Sequence, residues 1–110
     1  MSRKYYSGRY KLDKYELLSA IYYALNYKRW SEESCVIDDD MQRERIQKRL
    51  SKIEESAREA DRDIYKWLLE GVTDEQVNFE YLQTVKGLPC GRNRYNASKR
   101  RFYFELSQRI

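Results

Sequence analysis

Seven side chains between Gly91 and Phe102 have the chemistry to hold an anion or the edge of a base: Arg92, Asn93, Arg94, Asn96, Lys99, Arg100 and Arg101. Arginine's planar fork pairs bidentately with guanine or a phosphate, and an asparagine amide matches adenine. On a helical wheel, Tyr95, Phe102 and Leu106 form an inward stripe, with Ser98 or Lys99 filling the turn between them. Arg94, Ser98 and Arg101 lie together, and Asn93, Asn96 and Arg100 form the adjoining outer surface. Arg92 stands at the helix entry, where the N-terminus itself favours an anion. A contiguous basic outer face is therefore expected. The plainer alternative is a solvated charged face that complements the helix dipole.

A second basic-aromatic cluster lies near the start of the chain, in Arg3, Lys4, Tyr5, Tyr6, Arg9 and Tyr10. Aromatic faces stack on unpaired bases while cations bind phosphates, so these residues are a secondary candidate arm on nucleic acid. Packing over a small core is the competing use of such tyrosines. Tyr15, Tyr22 and Tyr23 are expected in the core or an interface.

Other chemistries are poorly supplied. The chain has no histidine, which removes the commonest general base and metal ligand. Its two cysteines, Cys35 and Cys90, cannot complete a zinc site, and its glycines form no phosphate loop. Catalysis, a metal and a cofactor are therefore not expected. Cys90 reads as a small turn-filling residue. No apolar run is long enough to span a bilayer, and the charged start lacks the apolar stretch of a secretory signal. A cytoplasmic protein with no membrane contact is the expectation.

The net charge of +4 conceals a segregation. Residues 1–30 carry seven basic and two acidic side chains, residues 31–80 eight and fifteen, and residues 81–110 seven and one. Basic ends around an acidic middle point to a polyanion-binding surface, or to electrostatic pairing between segments of one fold.

One proline and four glycines leave long segments of helical period. Asp13 and Glu16 form a capping box ahead of Leu17, Leu18, Ile21, Tyr22 and Leu25, with the helix ending near Trp30. SEESCVIDDD reads as a connection, its aspartates starting a helix from Met41 to Ala60 with a seam of Ile46, Leu50, Ile53, Ala57 and Ala60. That seam is expected to pack on the first helix; homodimerisation is its other use. A short helix over residues 62–71 buries Ile64, Trp67 and Leu68, with Gly71 as its terminator. Thr73 and Gln76 suggest a further capping box, followed by Val77, Tyr81, Leu82 and Val85, with Gly87 as the stop. The prediction is one all-α domain over 1–110, with about five helices. An arm and long helix pair (1–60) pack on a helix-turn-helix-like part (62–110).

YLQTVKGLPCG and RRFYFEL, within Val77–Leu106, resemble small phage and integrative-element proteins of Firmicutes, as does YYSGRYKLDKYE near the start. These are the RinA- and ArpU-like transcription regulators, whose C-terminal part is similar to region 4 of sigma factors. The resemblance implies Val77–Val85 as supporting helix, Gly87 as turn glycine and Arg92–Leu106 as reading helix. Pro89 stands where the motif places a Ser or Thr cap, and Asn93 and Asn96 where it places apolar residues. The expected function is a regulator binding duplex DNA, with the acidic middle available to RNA polymerase or another host protein. Two alternatives stay open: a mobile-element protein that inhibits a host nucleic-acid machine, as anti-CRISPR proteins do, and a helical dimerisation module.

Overall fold

Local chemistry places six helices, with no strand among the described residues, in a computed structural model that describes residues 10–110. The first, α1 (Lys14–Leu25), starts at the expected capping box: Asp13 accepts from the Glu16 amide at 2.8 Å, and Glu16 accepts from the Asp13 amide at 3.2 Å. It stops short of Trp30. The Asn26 side chain donates to the Tyr22 carbonyl at 2.8 Å, and a separate helix α2 (Tyr27–Val36) begins behind it.

SEESCVIDDD is therefore mostly helix, and only residues 37–39 connect α2 to α3 (Asp40–Ala60). Glu32 and Glu33 are good helix formers, and the Ser34 hydroxyl is satisfied on the Ser31 carbonyl at 2.8 Å. Arg43 reaches back from α3 to the carbonyls of Ser34 and Ile37, covering acceptors that the end of α2 leaves open. Asp39 caps α3 through the amides of Met41 and Gln42, as the run of aspartates suggested. The seam of α3 buries Ile46, Ile53, Ala57 and Ala60 with Leu50 half-buried, and adds Ser56. It packs mainly against α2, α4 and α6 instead of α1, because α6 occupies the space along its small residues.

The core holds Leu12, Leu17, Ala20 and Ala24 from the N-terminal side. Tyr15 and Tyr22 are not part of it, at 77% and 61% exposed, whereas Tyr23 is half-buried with its edge 4.9 Å from the Trp30 ring. Alanines take the inward positions of α1, so the tyrosines fall on its outer side.

Helix α4 (Tyr65–Val72) buries Leu68 and Val72, with Ile64 at its start. Trp67 is only half-buried, and its indole N–H donates to the Lys86 carbonyl at 2.8 Å. Gly71 does not terminate this helix but lies within it, facing α6. A Cβ there would stand 2.1 Å from the Tyr95 hydroxyl and 3.3 Å from Leu82 Cδ1. Thr73 caps the C-terminal end of α4, its hydroxyl returning to the Leu69 carbonyl at 2.7 Å. The capping residue of α5 (Phe79–Thr84) is Asn78, which accepts from the Tyr81 amide at 2.8 Å. The short α5 buries Leu82 and leaves Tyr81 and Val85 exposed, contrary to the expected stripe.

Gly87 does stop α5, with φ at +72°, the left-handed region that favours glycine. The Leu88 amide returns to the Leu82 carbonyl at 2.9 Å and the Leu88 side chain is buried, which holds the turn against the end of α5. Helix α6 (Arg92–Arg109) then lies against α1, α3 and α4. Its buried face is Tyr95, Ser98, Phe102, Tyr103 and Leu106. No helix among the described residues is long and apolar enough to cross a membrane.

Gly71→Ala separates helix propensity from packing. An exposed site would gain about 1 kcal/mol from this change, but overpacking against Tyr95 costs about 1–3 kcal/mol. We expect net destabilisation in urea unfolding, largely reversed by Tyr95→Phe in the same chain, since deleting the hydroxyl leaves the nearest ring carbon 3.3 Å away. A stabilised Gly71→Ala single variant would refute the close approach.

Candidate nucleic-acid interface

The candidate residues of α6 separate into two groups according to how the helix is rotated. Arg94 turns toward the corner between α3 and α4. Its Nε and one terminal nitrogen donate to the two oxygens of Asp61 at 3.1 and 3.0 Å, and that nitrogen also reaches Asp63 at 3.1 Å. Ser98 donates to the same Asp61 carboxylate at 2.8 Å. Arg101 donates to Glu59 at 3.3 Å, with the Tyr10 ring centroid 5.6 Å from its guanidinium carbon. Arg92 is paired with Glu80 and lies 4.8 Å from the Phe79 ring.

These carboxylates respond to their partners. Burial pushes the Asp61 carboxyl up, but the Arg94 and Ser98 hydrogen bonds outweigh it and hold the group below its ordinary 3.8. Glu80 is lowered by its bond from Arg92. Arg94 is raised by its bonds to Asp61 and Asp63, so its charge is permanent.

Asn93, Asn96 and Arg100 are exposed, and Lys99 is half-buried. None of the four makes a hydrogen bond or ion pair among the described residues. Positions 93, 96, 97 and 100 fall on one helical face, so the outward surface of the first turns of α6 is two amides, an alanine and one guanidinium. The expected contiguous basic face is thereby corrected: Arg92, Arg94 and Arg101 flank the row and are neutralised from within the chain. Charge segregation serves internal pairing for those three, through Glu59, Asp61, Asp63 and Glu80, which sequence reading did not pick out. Their only prior signal was the acidic excess of residues 31–80.

Lys99 and Tyr103 turn toward α1, where a cleft of about 290 Å³ is lined by Ile21, Asn96, Lys99, Arg100 and Tyr103. Burial alone lowers the Lys99 ammonium from its ordinary value. A larger hollow of about 530 Å³, lined by Glu55, Arg58, Glu59, Arg62, Tyr65 and Arg109, mixes carboxylates among its arginines and suits an anion less well.

Cys90 is half-buried and its thiol is raised by burial ahead of the opposing pull of Arg94, which makes it a filler of the turn. Tyr10 packs edge-on against Phe104, with centroids 5.3 Å apart. The other residues of the secondary arm, Arg3, Lys4, Tyr5, Tyr6 and Arg9, lie outside the described residues. Compared with known proteins, the chain matches no family model, no curated protein and no solved structure.

The Asp61 cluster gives a pH-dependent prediction. The folded pKa lies below the unfolded value, so its stabilisation is complete above the ordinary carboxylate range and is lost as pH falls through the depressed folded value. Asp61→Asn should lower the unfolding free energy by about 1–2 kcal/mol at neutral pH. The variant should also lack that part of the stability lost below pH 3.8, as measured by denaturant unfolding across an acid series. Identical acid profiles would contradict the clamp.

Proposed function

We propose that this protein binds duplex DNA, with the outward row of α6 entering the major groove. The observation that carries this reading is the row itself: Asn93, Asn96 and Arg100 stand together without partners among the described residues. The other arginines of the first three helical turns are all engaged by acids. Two amides and a guanidinium are the side chains that pair with adenine and guanine edges. A surface selected only for solubility needs no such composition.

The helices around α6 support the same reading. In a helix-turn-helix, a first helix braces a second, whose N-terminal turns contact bases. Here α4 and α5 precede α6, Gly87 ends α5 with positive φ, and Trp67 ties α4 to the turn. Residues 85–91 make this turn longer than the usual three or four residues. Leu88, buried in the core, keeps the extra length anchored. The likeness of Val77–Leu106 to RinA- and ArpU-like proteins supports the finer reading, a transcription regulator of a phage or mobile element. A role for α2 and the acidic start of α3 in touching RNA polymerase belongs to that same finer proposal.

The test is fluorescence anisotropy with random and selected duplexes over a salt series. Each neutralised phosphate contributes about −0.9 to the slope of log affinity against log salt. Arg100→Glu should abolish binding with unchanged helicity, because Arg100 is exposed and unpaired. Arg101→Glu is a poorer probe, since it sets a carboxylate against Glu59 and costs stability. A salt slope of zero, or no duplex bound at low salt, would overturn the proposal.

A further inference from the structure

The two long flanks of α6 are unequal in a way the outward row does not explain. On the α3 side, Arg94 and Arg101 meet Asp61, Asp63 and Glu59. On the α1 side, Lys99 sits half-buried with no carboxylate within ion-pairing distance among the described residues, beside Arg100 and Asn96, which are equally unpartnered there. Three donors without acceptors line one cleft of about 290 Å³, whose remaining walls are Ile21 and Tyr103. On the far side of Lys99, an adjoining hollow carries Asp74 and Glu75. Asp74 is occupied by Lys28 and by the Gln76 amide, and Glu75 does not reach the ammonium.

A cation that gives up water without gaining a partner costs free energy. The depressed ammonium of Lys99 is a sign of that cost. Apolar walls such as Ile21 strengthen the attraction for any anion that enters. Two positive charges and an amide N–H₂ converging on one cleft match the several acceptor oxygens of a phosphate group.

We propose that the cleft between α1 and α6 is a seat for a phosphate group, filled by one backbone phosphate when DNA lies along the outward row of α6. Lys99 supplies the charge that holds the backbone phosphate, and Ile21 and Tyr103 the wall; Arg100 and Asn96, at the rim, add donors for a free phosphate and turn to the base edges when duplex is bound. The DNA part rests on the duplex-binding reading above; the seat rests on the unpaired donors. One consequence is an asymmetric grip. A helix in the major groove faces a backbone on each flank. The seat holds the strand on the α1 side, while the α3 side presents arginines already neutralised by the protein.

Lys99→Met tests this, because it keeps the stem that packs against α1 and removes the charge. The variant should be at least as stable to heat as the parent. In the salt series with random-sequence duplex, it should lose about one unit of log–log slope, and bind about tenfold more weakly whatever the sequence. Inorganic pyrophosphate, titrated into labelled protein and followed by NMR, should shift the amides of Asn96, Lys99 and Arg100 in the parent and not in the variant. Duplex binding with an unchanged slope in Lys99→Met would overturn the seat and leave the DNA reading standing. Pyrophosphate shifts without duplex binding would keep the seat and remove the DNA reading. No shift and no change of slope would remove the seat.

Discussion

The rotation of α6 about its own axis is the constraint on which both core and surface depend. Its apolar side could tolerate small turns of the helix, since hydrophobic contact has no direction. Asp61 does not allow that freedom. Its backbone closes the last turn of α3 on Ala57, and its carboxylate takes Arg94 and Ser98 from successive turns of α6. The Asp61 side chain is only 12% exposed, so leaving either oxygen without a donor would be costly. With Arg94 and Ser98 held there, Tyr95 and Phe102 must face inward and Asn93, Asn96 and Arg100 must face out.

Gly71 and Tyr95 fix the remaining coordinate, the distance between α4 and α6. A glycine in a helix interior costs about 1 kcal/mol relative to alanine, and this one is kept because the Tyr95 hydroxyl fills the volume a Cβ would need. Burial drives that phenol up to about 12, so it stays neutral across the working range of pH. Trp67 adds a hydrogen bond from α4 to the carbonyl of Lys86, just before the left-handed glycine. Rotation, spacing and turn are thus set by three separate contacts around one helix.

Electrostatics then sorts the cations by direction. Arginines facing the α3 side find carboxylates and contribute to the fold, by modest amounts where both partners are solvated. Those facing α1 or solvent find none among the described residues, since Glu16 of α1 lies beside Ser107 and Ile110 at the far end of α6. A cluster that looks uniformly basic in sequence therefore splits into a structural half and an available half. The overall charge of the chain says little about which half is which.

Much of the fold was legible because its signals act over three or four residues. Asp13 with Glu16, the aspartates before α3, the seam from Ile46 to Ala60, and Gly87 as a stop all behave in the structure as their local chemistry dictates. The misreadings share a different origin. Ser31–Val36 stays helical partly because Arg43 arrives from another helix to cover its carbonyls, and Thr73 serves the helix before it instead of the one after. Tyr22 seemed to belong to the stripe of α1, yet the alanines face the core because α6 lies close on that side.

The amino-acid sequence by itself determined an all-α chain, the caps that start its helices and the inward stripe of α6, since each depends on neighbours along the chain. Only the tertiary structure decided that Gly71 makes room for Tyr95, that Arg94 is bound to Asp61, and that Lys99 is left without a counter-charge. Those outcomes depend on groups twenty-four or more positions away, brought together by packing, and no local pattern records which arginine will find an acid.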